Sequence, residues 1–221
     1  LNEASLIAAT AARYAGAGRF ARGFVRGKLS GDPATAAILA LGADGFGHLL
    51  DLGCGRGQLA LALLLAGHAT QVTGLDRAGA KITDATRAAE GLAARFEAAD
   101  LAAAALPACD TAMLIDVLYQ MPEALQRDLL ARVAQAARRR VLIRAFDPDR
   151  GWRSAVGFAM EGAGRLLRGE MRRAAIAPLP LPALATPLEE AGFVVRITPC
   201  WQGTPLPNVL LVAERRQPHA S

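Results

Sequence analysis

The sequence predicts a doubly wound α/β fold. We expect a mostly parallel seven-stranded sheet with an antiparallel C-terminal hairpin, N-terminal helices, and a helical insertion after the fifth strand. Three observations carry this expectation. Short apolar runs alternate with helical patterns from His48 to Phe146, the rhythm of βαβ units. A glycine turn, Gly53-Cys54-Gly55-Arg56-Gly57, lies between the first apolar run and the first long helix of that series. Acids recur at or just past the ends of the runs: Asp76, Asp100, Asp116 and Asp147.

The elements follow in order. Residues 3–15 read as a helix with Leu6 and Ile7 at helical spacing, and Arg19 to Leu29 as a second. In that second helix Arg19, Arg22 and Arg26 share one face, and Phe20 and Phe24 share another. Ser30-Gly31-Asp32-Pro33 stops it and caps a third helix, Pro33 to Leu41. Leu49 to Leu52 is the first strand, Gln71 to Asp76 the second, Arg95 to Leu101 the third and Cys109 to Val117 the fourth. Helices are expected from Leu59, over 78–91 and over 123–137, the last ended by Arg138-Arg139-Arg140 acting on its dipole. Val141 to Phe146 is the fifth strand, and Asp147-Pro148 lies at its tip. Residues 152–175 are helical in pattern, Ala177 to Pro182 extended, and Ala185 to Ala191 a helix closed by Gly192. Phe193 to Thr198 and Asn208 to Glu214 form the hairpin.

The glycine spacing discriminates between ligands. A dinucleotide fingerprint is G-x-G-x-x-G, and here Gln58 stands at its third glycine. A P-loop is absent, so a pyrophosphate cradle is disfavoured and a nicotinamide dehydrogenase with it. Asp76 follows the loop at about the distance of a ribose-binding acid in a βαβ nucleotide unit. Its carboxylate has acceptors for two ribose hydroxyls.

Asp51-Leu52-Gly53-Cys54-Gly55-Arg56-Gly57 after a strand resembles the first motif of the class I S-adenosylmethionine-dependent methyltransferases, a Rossmann-like family. The resemblance covers residues 48–147 well and implies S-adenosyl-L-methionine as cofactor. It implies that Gly53, Cys54, Gly55 and Gly57 wrap the methionine part and that Asp51 sits near its amino group. Asp76, with Arg77 beside it, would hold the ribose, and Asp100 and Leu101 would meet the adenine. Asp116 would end the fourth strand facing cofactor and substrate. Relatives often carry His where Tyr119 or Gln120 stands, so an obvious proton acceptor is missing. Residues 18–33 are also similar to methyltransferases encoded with bacterial aryl-polyene pigment genes.

Methyl transfer from a sulfonium is an in-line displacement, for which alignment and water exclusion matter most. A hydroxyl acceptor of high pKa also needs a base. Asp147, Tyr119 and Asp116 are the candidates, with Asp147 preferred, although it reads equally as a turn residue before Pro148. The three histidines, His48, His68 and His219, read as structural or surface residues. No metal cluster is visible in the sequence, and no metal is expected.

Net charge is +5, and it is unevenly spread. Residues 1–32 hold five cations against two acids, as do residues 152–175. We expect residues 1–32 to form an N-terminal helical cap on a domain spanning 33–221, with 152–182 as a helical lid. Arg19, Arg22, Trp152, Tyr119 and Gln120 are then the expected substrate contacts. The plainer reading is a pair of solvated helix faces. The acceptor expected is small and apolar or anionic: an aryl hydroxyl, a carboxylic acid, or a lipid-like acyl chain on an acyl carrier protein. An RNA or DNA methyltransferase is the alternative raised by the basic pI of about 9.7. Aromatics are only 5%, and no Asn/Asp-Pro-Pro-aromatic motif offers a base-stacking platform. A non-catalytic cofactor-binding module is the third reading. Three irregularly spaced cysteines give no disulfide framework and fit a reducing cytoplasm. No signal peptide or membrane span is apparent, and residues upstream of Leu1 are expected. The excess of alanine, leucine and arginine matches a high-GC bacterial genome.

Overall fold

In the computed structural model the described residues are 2–167 and 176–216. Seven strands form one sheet in the order β3-β2-β1-β4-β5-β7-β6. They are β1 (Gly47–Leu52), β2 (Ala69–Asp76), β3 (Ala94–Ala98), β4 (Cys109–Ile115), β5 (Ala137–Phe146), β6 (Phe193–Pro199) and β7 (Asn208–Arg215). β1 to β5 are parallel, and β7 runs antiparallel to both β5 and β6. The order reverses between β1 and β4, so a cleft opens above those two strand ends, where such sheets bind ligands.

The eight α-helices among the described residues are α1 (Glu3–Ala12), α2 (Gly18–Gly31), α3 (Pro33–Leu41), α4 (Gln58–Leu65), α5 (Gly79–Ala88), α6 (Glu123–Ala136), α7 (Trp152–Leu167) and α8 (Leu181–Glu190). Leu49, Leu50, Leu52, Met113, Leu114, Leu142 and Ile143 are fully buried, because central parallel strands are covered on both faces. One core lies on each side. Tyr14, Val25, Leu29, Ile38 and Leu61 pack with Leu49 on the first, and Leu129, Val133, Leu184 and Leu188 pack with Leu50 on the second. The N-terminal helices thus complete the first core. Burial of residues such as Val25 and Leu29 supplies roughly 1.5–3 kcal/mol per side chain.

Several boundaries differ from expectation, and two of them bear on the packing. Arg138, Arg139 and Arg140 belong to β5 and not to the end of α6. The carbonyls at that helix end are met from elsewhere: the Arg215 guanidinium donates to Ala134 and Ala137 at 3.0 and 3.1 Å. It also reaches Ala191, just past α8, at 2.9 Å. Second, α8 begins at Leu181, with Pro182 in the first turn, where a missing N–H costs nothing. The expected helical stretch 152–175 is helical from Trp152 to Leu167, and residues 168–175 lie outside the described residues.

Candidate active site

The β1–α4 connection builds the floor of the cleft. Gly53, Gly55 and Gly57 all have positive φ, at 72°, 58° and 70°. Two of them are also sterically required. A Cβ at Gly53 would overlap Val117, and one at Gly57 would overlap the ring of Phe96 on β3. Gly55 is different, because a Cβ there meets nothing within 4 Å. The space beside it is open, so the loop leaves room for a ligand where its outer neighbours are tightly packed.

Asp76 ends β2 and fixes this loop. Its Oδ2 accepts the Gly55 N–H at 2.8 Å, and its Oδ1 accepts the Ala78 N–H at 2.8 Å. Each carboxylate oxygen keeps acceptor capacity for a further donor. Asp51, on β1, is buried, and among the described residues its carboxyl receives no hydrogen bond from a side chain. Burial, reinforced by the negative charge of Asp76, pushes it from the ordinary 3.8 up to about 7. Two carboxylates therefore share the loop without a cation to balance Asp51. Burial and Asp51 likewise raise the thiol of Cys54, which is inert packing against Gly74. Tyr14 donates from its hydroxyl to the Arg56 carbonyl at 2.5 Å, tying the end of α1 to the loop.

The other residues expected to hold the cofactor lie at or just past the C-terminal ends of the strands. Asp100 is exposed, and its Oδ1 accepts the Ala102 N–H at 3.0 Å, with Leu101 buried beside it. Arg77 is exposed next to Asp76. Asp116 has φ of 60°, the one non-glycine residue with positive φ among those described. Such a conformation is uncommon for a side-chain-bearing residue and persists where the surroundings hold it. Here Gln120 donates from Nε2 to the Asp116 carbonyl, and Arg144 Nη1 lies 3.1 Å from Asp116 Oδ2.

That contact is part of a cluster that sequence reading missed. Arg144 on β5 pairs with Asp32 at 2.6 Å as well as with Asp116, and Lys28 on α2 pairs with Asp32 at 2.6 Å and Asp116 at 3.5 Å. Burial pushes Asp32 up, but Arg144 and Lys28 more than offset it and hold its carboxyl below the ordinary range. Asp32 also caps α3 through the Ala34 N–H at 3.0 Å. Sequence reading found only this cap, because spacing cannot show a partner 112 residues away. Together with Phe24, which stacks on Arg56 with 5.3 Å between guanidinium carbon and ring centroid, the cluster lays α2 across the tips of β1, β4 and β5.

Beyond the tips of β4 and β5 the surface is aromatic. Tyr119 meets Phe146 at 6.3 Å between ring centroids, and Phe146 meets Phe158 at 4.9 Å. The Ala177 N–H reaches the Tyr119 carbonyl at 2.8 Å, and the buried Gln126 donates to Ala177 at 2.6 Å and to Met121 at 2.8 Å. This clasp brings the chain back from the insertion onto the turn carrying Tyr119 and Gln120. Asp147 is buried. Its Oδ1 accepts the Asp149 N–H at 3.0 Å, and its Oδ2 lies 3.7 Å from Arg150. These are the contacts of a turn-closing carboxylate. Trp152 is 64% exposed, with the Arg153 guanidinium over its ring. Arg19 and Arg22 are exposed on the outer side of α2, so the structure does not bring them to the strand tips with Lys28. Of the histidines, His48 is bonded to Thr73 at 2.9 Å and His68 packs against Gly42, while His219 lies outside the described residues. Among the described residues no group of three or more His, Cys, Asp or Glu is placed to hold a metal.

A methyltransferase-domain family model matches residues 49–140, the span that carries the glycine loop and Asp51, Asp76, Asp100 and Asp116. Over those residues the chain is similar to a methyltransferase domain. No curated protein matches it. Solved structures do. Magnesium protoporphyrin IX methyltransferase from Synechocystis PCC 6803, with bound S-adenosylhomocysteine, is 22% identical with a TM-score of 0.64, and the match covers 90% of this chain and 89% of that one. The S-adenosylmethionine-dependent methyltransferase SibL, in its apo form, is 26% identical with a TM-score of 0.65, over 90% of this chain and 58% of that one. The N-methyltransferase NodS from Bradyrhizobium japonicum WM9 is 14% identical with a TM-score of 0.59, over 86% and 91%. The seven-stranded sheet with its antiparallel hairpin is therefore the class I methyltransferase fold.

Proposed function

We propose that this enzyme transfers a methyl group from S-adenosyl-L-methionine to the oxygen of a small apolar or anionic acceptor. The observation that carries the cofactor is the pairing of Asp51 and Asp76 at the open side of Gly55. Two acids without a cation for Asp51 suit a ligand carrying an ammonium and a sulfonium. The bound cofactor supplies the methyl group on its sulfonium. Gly53, Cys54, Gly55 and Gly57 would follow its amino-acid part, Asp76 with Arg77 its ribose, and Asp100 with Leu101 its adenine. The cofactor seen in the magnesium protoporphyrin and NodS structures supports the same choice.

The aromatic run Tyr119–Phe146–Phe158 favours a flat or extended apolar acceptor, with Gln120 and Trp152 at its margin. Asp116 and Asp147 are both engaged by arginines. An acceptor that ionises readily, a phenol or a carboxylic acid, fits such a site because it needs no strong base. Tyr119, at the start of the aromatic run, is the candidate to orient the acceptor oxygen. Calorimetric titration with S-adenosylmethionine tests the cofactor: binding that is lost in Asp76→Ala supports the reading, and no binding to the intact chain overturns it. Incubation with phenolic and carboxylic acids, followed by detection of methylated oxygen and of S-adenosylhomocysteine, tests the acceptor class.

A further inference from the structure

The surface of α2 is divided among three neighbours. Ala21, Val25 and Leu29 are buried in the core. Phe24 and Lys28 face the cleft through Arg56 and Asp116. The outer side carries Arg19, Arg22, Gly23, Arg26 and Gly27, all exposed. Arg19, Arg22 and Arg26 form no ion pair with any described residue, unlike Lys28 on the same helix. A Cβ at Gly23 or Gly27 would meet nothing within 4 Å. The outer side is thus a strip of bare backbone, bordered by three guanidinium groups on one edge and by Phe20, 78% exposed, on the other.

We propose that this side of α2 docks a small acidic carrier protein, which presents a covalently tethered acceptor to the cleft beneath the same helix; this rests on the reading of that cleft as a methyl-transfer site. Charge favours it, because guanidinium groups bind carboxylates through paired, directional hydrogen bonds. Shape favours it, because missing side chains at Gly23 and Gly27 let a partner helix approach the backbone closely. Position favours it, since Phe24 and Lys28 tie the helix to the loop and the β4 tip. A partner seated there stands at the mouth of the cleft. A lipid surface fits less well. An interfacial helix turns an apolar sector outward, and here Phe20 is the one large apolar side chain on the outer side among the described residues.

The test uses the full chain and a fluorescently labelled apo acyl carrier protein without its pantetheine arm, so that no acceptor takes part. Binding should be measurable at low salt and weaken roughly tenfold or more at high salt. The double variant Arg19→Glu, Arg22→Glu should weaken it by a further tenfold or so, with an unchanged unfolding midpoint as evidence that it folds. Arg95→Glu, an exposed arginine on β3, should leave binding as it is. No binding to the unaltered chain overturns the proposal, as does equal weakening by Arg95→Glu. Binding of phosphatidylglycerol vesicles or of a short single-stranded RNA, abolished in the double variant while the carrier does not bind, assigns the surface to that partner instead. Failure to bind S-adenosylmethionine removes the methyl-transfer reading but leaves the docking result intact, so the two failures are told apart.

Discussion

At the scale of single residues, the glycine loop separates two requirements that one motif conceals. Gly57 is needed for packing, since Phe96 occupies the space of its Cβ, whereas Gly55 faces open space. Gly57→Ala should therefore lower stability by more than the roughly 1–2 kcal/mol of left-handed backbone strain alone. Gly55→Ala should cost about that strain and should weaken S-adenosylmethionine binding more than it weakens the fold. Thermal unfolding beside calorimetric titration separates the two. Asp51 gives a pH dependence. Its carboxyl is lifted from 3.8 to about 7 in the folded chain, so within that window the folded state keeps a proton that the unfolded chain has lost. Its contribution to stability is thus greatest below the lower value and falls as pH rises through the window. Asp51→Asn should flatten that slope and stabilise the cofactor-free protein at pH near 8. A cationic ligand favours the ionised form, so binding near neutral pH should release a proton, visible as a buffer-dependent binding enthalpy.

At the scale of elements, α2 is held by a network whose members contribute unequally. Arg144 and Asp32 are each 6% exposed at the side chain, and Lys28 is 38% exposed. Arg144→Ala leaves Asp32 buried without its main partner and should cost on the order of 3 kcal/mol. Lys28→Ala should cost about 1 kcal/mol or less, because its pairs are partly screened by water. Denaturant unfolding of both variants checks the ranking. The contrast also explains what was legible in the sequence. Local signals were readable: the glycine turn, the Asp32-Pro33 start of α3, and the apolar runs that became β1, β2, β4 and β5. Arg138 to Arg140 were misread because a basic run after a helix suits a dipole as well as a strand start. The Arg144 cluster and the Phe96–Gly57 contact join residues far apart in the chain, and no periodicity encodes them. Asp147 had two readings, and its bond from the Asp149 N–H joins residues only two apart, which the Asp-Pro pair did signal.

At the scale of the whole molecule, a buried amide on α6 ties the chain after the insertion to the turn after β4. Gln126 is fully buried, and its Nε2 holds both Met121 and Ala177. Gln126→Leu should release the Ala177 end of the insertion while the sheet remains intact. Hydrogen exchange should quicken at Ala177, with little change at Leu142 or Leu211. Binding of S-adenosylmethionine should stabilise the whole domain by mass action, about 2.7 kcal/mol at a hundredfold excess over its Kd.

The placement of β7 has a consequence for how the chain is made. This strand follows β6 in the sequence yet lies between β5 and β6. Until residues 208–215 emerge from the ribosome, the nascent β5 has one side without a partner, with Val141, Leu142 and Ile143 along it. Translation stalled before Asn208 should therefore yield sticky intermediates that engage chaperones, and emergence of residues 208–215 should end that engagement.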